Sequence, residues 1–123
     1  MPHTTTLEPT TKTITVTIMG LWTEADAAGL CEELGRLLPA AGNRQLAIDL
    51  EDAIRYDGTE ARRRTAKLLT DFGITQLAVY NARPAVRILV KILINLVADA
   101  TTARFFPKRE EAVTWLQQER TAQ

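Results

Sequence analysis

The densest group of potentially reactive side chains in this sequence is a set of carboxylates around the end of the segment QLAIDL. Its members are Asp49, Glu51, Asp52, Asp57 and Glu60. Paired carboxylates can carry out acid–base catalysis or hold a divalent cation, and loops that follow the strands of a parallel sheet are a usual place for such sites. The same residue types also cap helices, form turns and pair with basic side chains. We favour this second interpretation, because no nucleophile or base accompanies the carboxylates.

The other reactive residue types do not form a recognisable site. The only histidine, His3, lies in the N-terminal segment, so a Ser-His-Asp or Cys-His arrangement has no base in the core. Cys31 falls on the predicted inner stripe of a helix, where cysteine usually acts as a small hydrophobic residue. The sequence contains no zinc-binding, P-loop or dinucleotide-binding spacing. We therefore predict a protein that is not an enzyme and that has no metal or cofactor.

Three consecutive arginines, Arg62, Arg63 and Arg64, follow the carboxylates. Successive residues on a helix are separated by about 100°, so these side chains span roughly 200° and do not all face one partner. We interpret them mostly as a solvated helix face.

The composition is typical of one globular domain without a charge bias. The chain has 123 residues, of which 46% are hydrophobic and 24% are charged, and domains of about 100–150 residues are the most common. Fifteen basic and fifteen acidic side chains cancel to a formal net charge of zero, so there is no general electrostatic reason to bind nucleic acid. We expect one domain over residues 1–123, with residues 1–11 as a poorly anchored N-terminal arm.

Several features of the sequence favour a cytoplasmic protein. Cys31 is the only cysteine and cannot form an internal disulfide. The N-terminal segment has no basic region followed by an apolar core, which a signal peptide requires. The longest apolar run is shorter than the ~20 residues of a membrane-spanning helix, so we expect no integral membrane segment.

Hydrophobic patterning in the first half predicts two strands and a helix. KTITVTIMG alternates apolar and threonine residues, which is typical of a strand with one buried and one solvated face, and TTTLE could pair back on it as a short hairpin arm. Thr23 and Asp26 have the spacing of a capping box at the start of a helix, whose inner stripe includes Leu30, Cys31 and Leu34. The run QLAIDL predicts a strand covered on both faces, and EDAIRYDG predicts a loop.

The second half continues the alternation of helices and strands. A helix from about Thr59 and the buried strand TQLAVY are followed by an apolar helix, the strand TARFF and a last helix at REEAVTWLQQ. Alternating strands and helices with short connections predict an α/β fold with a mainly parallel sheet.

The segment AVRILVKILINLVAD, residues 85–99, is more apolar than an ordinary surface helix. We expect Asn81 at its N-cap and Pro84 in its first turn. Its apolar arc is roughly 200° wide, whereas a surface helix typically needs ~100° or a little more. The helix is therefore either a central, covered helix or a functional surface, which could be a dimer seam, a groove for an apolar ligand or a patch against a membrane. The candidate residues for a groove or seam are Ile88, Ile92 and Leu96.

Taken together, these elements resemble the STAS domain, the module of anti-sigma-factor antagonists and of sulfate-transporter tails. The resemblance runs from about residue 12 to the end and depends on AIDLEDAIRYDGTEARRRTAKLL, which is similar to the STAS strand, loop and helix. It is closest to the stand-alone SpoIIAA-like branch, in which a segment similar to LAVYNARPAVRILVKILINLVADATTARFFPKREEAVTWL recurs. The resemblance implies a mainly parallel sheet of four to five strands with about four helices packed on it.

The resemblance also implies one candidate regulatory position. Anti-sigma-factor antagonists carry an Asp-Ser-Ser-Gly motif at the start of the helix after the second core strand, and a partner kinase phosphorylates its second serine. This stretch is similar to Asp57-Gly58-Thr59-Glu60, in which Asp57 keeps the acid and Thr59 matches the phospho-acceptor. Gly58 replaces the first serine and Glu60 replaces the glycine. Thr59 also has an alternative role as the cap of its helix, which we favour.

Two functions follow from these observations. The first is a non-enzymatic interaction or regulatory module, which would dock a protein partner or a second copy of itself through the second helix and the loop at Asp57. The second is a carrier or sensor of an apolar small molecule or lipid, with Ile88, Ile92 and Leu96 near the pocket. The SpoIIAA-like branch is similar in fold to lipid-carrying domains of the CRAL-TRIO type, which is an analogy of fold alone.

Overall fold

The computed structural model describes residues 3–121, which contain five strands and four helices. In chain order these elements are β1 (Thr4–Glu8), β2 (Thr13–Trp22), α1 (Glu24–Ala41), β3 (Gln45–Tyr56), α2 (Gly58–Asp71), β4 (Gln76–Tyr80), α3 (Pro84–Asn95), β5 (Thr102–Phe106) and α4 (Arg109–Thr121). The order of strands and helices is the predicted one, and the TTTLE segment is present as the strand β1.

The five strands form one sheet in the order β1-β2-β3-β4-β5, in which β1 is antiparallel to β2 and all other neighbours are parallel. Each of α1, α2 and α3 connects two adjacent parallel strands, and such crossovers are almost always right-handed. These three helices therefore lie on the same face of the sheet. The last helix, α4, follows the edge strand β5 and packs on the opposite face. The predicted α/β fold with a mainly parallel sheet is confirmed.

Alternation along the strands divides the core between the two faces. On one face, Leu46 and Leu77 lie in a cluster with leucines of α1 and α2. On the other face, Ala47 and Ala78 lie in a cluster with Trp115 of α4, whose large ring packs where the strand side chains are small. The segment QLAIDL is thus covered on both faces at its start, as its pattern predicted.

The strand β3 includes most of the segment EDAIRYDG, which we expected to be a loop. It extends to Tyr56 and pairs with β2 up to the register in which Trp22 lies opposite Tyr56. Two register shifts along β2 interrupt this part of the ladder, and such bulges break the simple alternation of apolar and polar residues. The loop prediction was wrong because the second half of β3 has mostly exposed side chains and an irregular period.

The threonine face of β2 is not solvated as the alternation suggested, because Thr13 and Thr15 are buried. The first turn of α4 covers this face: Arg109 donates hydrogen bonds to Thr15 Oγ1 at 2.8 Å and to the Tyr80 hydroxyl at 3.0 Å. Burial raises the pKa of Tyr80, although the hydrogen bond from Arg109 acts in the opposite direction. These contacts fix α4 to the sheet.

The helix α1 begins with the predicted capping box. The Asp26 N–H donates to Thr23 Oγ1 at 3.2 Å, and the Thr23 N–H donates to Asp26 Oδ2 at 2.8 Å. Leu30 and Leu34 are buried, but Cys31 is exposed, so its assignment to the inner stripe was wrong. Cys31 lies about 80° from the direction midway between Leu30 and Leu34, which places it at the margin of the stripe.

The N-terminal segment pairs with the sheet along the whole of β1, from Thr4 opposite Thr17 to Glu8 opposite Thr13. His3 precedes this strand and packs against the start of α1. Its ring lies edge-on to Trp22 with 4.8 Å between the ring centroids, and its Nδ1 atom lies 3.4 Å from Asp26 Oδ1.

Candidate functional site

The carboxyl ends of the four parallel strands lie at one edge of the sheet, where α/β proteins usually place their sites. At this edge β3 is followed directly by α2, and the junction carries the candidate residues: Asp57 lies between the two elements, and Gly58 and Thr59 are the first residues of α2. The backbone N–H of Asp57 donates to the carbonyl of Trp22 at 2.7 Å. The end of β2 therefore fixes the position at which α2 begins.

The start of α2, residues 57–60, is exposed to solvent at all four positions. Asp57 is the N-cap residue, and its side chain makes no capping hydrogen bond within the described part of the chain. Thr59 lies in the first turn and not at the cap, so the role that we favoured for it was wrong. The first backbone N–H groups of α2 are thus without a side-chain acceptor from the cap.

Gly58 has a backbone φ of +83°, in the left-handed region that residues with a Cβ atom rarely adopt. This conformation turns the chain from the end of β3 into the first turn of α2. This left-handed conformation is a local structural reason why position 58 carries glycine and not the first serine of the Asp-Ser-Ser-Gly motif.

Glu60 pairs with Arg63 one turn further along α2, with 3.0 Å between Oε1 and Nη1. Both side chains are exposed, so the pair contributes little to stability. The pairing nevertheless places a cation beside the carboxylate that follows Thr59, which reduces the negative charge next to the candidate phospho-acceptor.

The five carboxylates of the sequence analysis do not converge. Asp49 accepts hydrogen bonds from the Glu51 N–H at 3.1 Å and from Asn81 Nδ2 at 3.2 Å, whereas Glu60 lies on the outer face of α2. Within residues 3–121, no three His, Cys, Asp or Glu side chains are grouped so that they could hold a metal ion. Asp49, Glu51 and Asp52 belong to the strand β3, Asp57 is the N-cap of α2, and Glu60 is the member of the group with an ion pair.

The helix α3 begins at Pro84, and its N-cap is Arg83. Asn81 has a φ of +62° and belongs to the preceding turn, so the prediction that it caps the helix was wrong. The Arg83 guanidinium donates to the carbonyl of Ala53 and fixes this turn against the end of β3.

The outer face of α3 is apolar and uncovered. Ile88, Ile92 and Leu96 are 62%, 41% and 53% exposed, and together with Ile54 they are the exposed large hydrophobic residues of the described chain. They lie at i, i+4 and i+8 and therefore share one helix face, which we call the α3 stripe. No further layer covers this stripe because α4 packs on the other face of the sheet. No helix within residues 3–121 is long and apolar enough to cross a membrane.

An apolar cavity of about 90 Å³ lies between α2, α3 and the sheet, and we call it the α2–α3 cavity. The inner face of α3 contributes Val86, Leu89, Val90 and Leu93 to its wall. The α3 stripe lies on the outer face and does not line the cavity. The α3 helix thus presents one apolar face to the cavity and a second to solvent.

The few polar groups in the wall of the cavity are mostly satisfied inside the protein. Trp22 Nε1 donates to Thr65 Oγ1 at 2.9 Å, and the Thr65 hydroxyl donates to the Ala61 carbonyl at 2.7 Å. Arg62 differs, because its Nε atom is buried and has no hydrogen-bond partner among the described residues.

Arg62 was not predicted as a cavity residue, because the three consecutive arginines were interpreted mostly as a solvated helix face. The lining also includes Arg55 and Tyr56, and the Arg62 guanidinium lies over the Tyr56 ring at 5.9 Å from its centroid. The available signal was the helical position of Arg62, which is next to the buried row of Ala61, Thr65 and Leu69.

Two solved structures are similar to this chain over nearly its whole length. An uncharacterised protein of the DUF3478 family with a SpoIIAA-like fold, from Shewanella loihica PV-4, matches with a TM-score of 0.71 and 16% identity over 94% of this chain and 96% of that chain. The anti-sigma factor antagonist SpoIIAA in its unphosphorylated form matches with a TM-score of 0.61 and 10% identity over 94% of this chain and 98% of that chain. No protein-family model and no curated protein matches the sequence.

These similarities define the class of protein by its fold. The chain has a STAS/SpoIIAA-like fold, and the resemblance inferred from the sequence is confirmed at that level.

Proposed function

We propose that the chain is a non-enzymatic interaction module of the STAS type, which docks a protein partner through the start of α2. The observation that carries this proposal is the exposure of all four residues from Asp57 to Glu60 on a SpoIIAA-like fold. A cytoplasmic location for this module stays a prediction.

Phosphorylation of Thr59 is the form of regulation that the geometry of α2 favours. A phosphate in the first turn of a helix interacts favourably with the helix dipole and with free backbone N–H groups. The side chain of Asp57 at the N-cap makes no hydrogen bond with these N–H groups. The ion pair with Arg63 balances the negative charge of Glu60. An added charge at Thr59 would also change the surface that a partner contacts.

Affinity capture from cells of the source organism tests this proposal. The wild-type chain is compared with Thr59→Glu, Thr59→Ala and the matched control Thr114→Glu, an exposed threonine on α4. We expect one protein to be retained by wild type and Thr114→Glu but depleted about tenfold or more with Thr59→Glu, since a charge in a docked surface costs more than 1.4 kcal/mol. The purified pair must then give the same ranking by calorimetry. If Thr59→Glu and Thr59→Ala bind the partner equally, this result would contradict the proposed control by phosphorylation.

A second candidate function is the binding of a small apolar molecule, and the α2–α3 cavity is the observation that favours it. Its volume of about 90 Å³ is smaller than the roughly 150 Å³ apolar cavity that accepts benzene in another protein. The cavity in this conformation therefore suits a short aliphatic group better than a complete lipid chain. Titration with 1-pentanol, followed by NMR shifts of Leu69, Val79 and Leu93, tests this function. Unchanged signals at these residues would exclude it.

A further inference from the structure

The last strand of the sheet, β5, has backbone groups that face solvent. It pairs with β4 alone. The Thr102 N–H donates to the Thr75 carbonyl at 2.8 Å, so the backbone groups of Thr102 face β4. Because backbone groups alternate in direction along a strand of a parallel ladder, the N–H and C=O groups of Ala103 and Phe105 face away from the sheet. No other strand or loop backbone within residues 3–121 pairs with these four groups, and we call them the β5 edge.

Two exposed cations of α3 lie beside the β5 edge. The guanidinium carbon of Arg87 is 4.8 Å from the centroid of the Phe105 ring, and Lys91 Nζ is 5.9 Å from the same centroid. Both side chains are exposed, and neither takes part in an ion pair within residues 3–121. The open cleft at this end of α3 has no carboxylate in its lining. This side of the β5 edge therefore carries positive charge without a partner from the described chain.

We propose that the β5 edge binds an extended acidic segment of a partner protein, which adds to the sheet as a sixth strand. Its backbone would pair with Ala103 and Phe105, and acidic side chains at alternate positions would lie beside Arg87 and Lys91. Strand addition of this kind takes its affinity from main-chain hydrogen bonds and its specificity from alternate side chains. The proposal is independent of docking at the start of α2.

The spacing of the two cations fits alternate residues of a strand. Arg87 and Lys91 are four residues apart, which is about 6 Å along a helix axis. Side chains two residues apart in a strand are separated by roughly 6.6 Å and point to the same face of the sheet. A helix that connects two parallel strands runs roughly antiparallel to them, so the row of cations and the added strand share one direction.

The surroundings of the β5 edge favour a peptide over a nucleic acid. The Phe105 ring lies under Arg87 and Lys91 and packs against the core, so it offers no free face for a base to stack on. On the α4 side of β5, Glu110 and Glu111 line a shallow groove. These carboxylates would repel a continuous phosphate backbone, and they restrict the acidic side chains of a peptide to the α3 side.

The strands of a second copy do not supply the acidic side chains. The other edge of the sheet, β1, has the sequence TTTLE, in which Glu8 is the one charged residue. Glu8 is already within 3.5 Å of Arg109. Pairing of β5 with the β5 strand of a second copy would bring cations close to cations. The charge pattern therefore points to a different protein.

The test is an NMR titration of the full chain with a ten-residue peptide, acetylated and amidated, in which glutamate alternates with valine. The matched peptide has glutamine in place of glutamate. We expect the acidic peptide to shift the amide signals of Ala103 and Phe105 most. Its affinity should exceed that of the glutamine peptide about fivefold, because two exposed ion pairs each contribute modestly.

Two double variants test the role of the charges. Arg87→Gln/Lys91→Gln should remove the difference in affinity between the two peptides. The control Arg63→Gln/Lys67→Gln removes two exposed cations at the same spacing from α2 and should keep the difference.

Ala103→Pro tests the role of the backbone. A proline is tolerated on an edge strand where its nitrogen faces away from the sheet. The substitution removes an outward N–H donor and leaves the pairing of Thr102 with β4, so we expect it to abolish binding of both peptides. Should this variant not fold, the double variant of Arg87 and Lys91 still tests the proposal.

Four outcomes would overturn the inference. The first is the absence of shifts at Ala103 and Phe105, including shifts confined to exposed basic side chains. The second is equal affinity of the wild-type chain for the two peptides. The third is stronger binding of decauridylate than of the acidic peptide at the same residues, which would indicate a nucleic-acid surface. The fourth is a change of the Ala103 and Phe105 signals with protein concentration alone, which would show that a second copy covers the β5 edge.

Discussion

At the scale of single residues, the start of α2 depends on one backbone conformation. Gly58 has a φ of +83°, and a Cβ atom added there would have no atom within 4 Å. Any cost of replacing it therefore comes from the backbone conformation and not from a clash. Gly35 in α1 has equally open space around an added Cβ atom but no positive φ, so the two glycines form a matched pair.

We expect Gly58→Ala to lower the free energy of unfolding by roughly 1 kcal/mol, because left-handed backbone is unfavourable for alanine. Gly35→Ala should raise it by roughly 0.5–1 kcal/mol, because alanine is the better helix former. Urea unfolding followed by circular dichroism measures both values. Stabilisation by both substitutions would contradict the assigned conformation of Gly58.

A second residue-scale prediction concerns Asp26 and pH. Burial of this carboxyl would raise its pKa, but hydrogen bonds from the Thr23 N–H and hydroxyl, together with nearby His3, lower the pKa below its usual value. A group whose pKa is lower in the folded state stabilises the fold above its unfolded pKa, and this contribution is lost as the pH falls through the folded pKa.

Asp26→Asn should therefore destabilise the chain by about 1 kcal/mol at pH 7, the usual value of a capping interaction. The difference in the free energy of unfolding between Asp26→Asn and wild type should shrink at pH values below the normal pKa range of an aspartate. Chemical unfolding at pH 7 and at about pH 3 measures it, with the exposed Glu32→Gln on the same helix as control. A difference of the same size at both pH values would show that the charge of Asp26 is unimportant.

At the scale of elements, the sequence reveals the composition of α3 but not what covers it. The wide apolar arc is visible in residues 85–99, and the structure divides it into a cavity-facing side and the exposed α3 stripe. The exposure follows from the position of α4 on the opposite face of the sheet. That position depends on contacts such as Arg109 with Thr15, which are 94 residues apart in the sequence, and no local pattern reveals them.

The α3 stripe leads to a prediction of self-association, with the second copy placed against Ile88 and Ile92. Contact between two copies would remove this exposed apolar surface from water, and the free energy gained favours association. Sedimentation velocity over a range of concentrations should show a dimer for wild type and for the control Ile54→Lys, which changes an exposed isoleucine on β3. The double variant Ile88→Lys/Ile92→Lys should be a monomer. A wild-type chain that stays monomeric at all concentrations would contradict a dimer seam at the α3 stripe.

At the scale of the whole molecule, the order of strands and helices could be predicted because each element has a local signal. Alternation marks β2, the Thr23–Asp26 capping box marks α1, and Gly73 follows the end of α2. The extent of β3 could not be predicted, because its second half is held by pairing with β2 despite exposed polar side chains. The α2–α3 cavity could not be predicted either, since its wall comes from six separate elements.

The central claim is that this SpoIIAA-like molecule contacts a protein through the start of α2. Photo-cross-linking in cells of the source organism tests it most directly, with a photoreactive amino acid placed at position 59 or at position 114 on α4. We predict a discrete adduct of higher mass from position 59 and none from position 114. Adducts from position 114 alone, or from neither position, would contradict the claim.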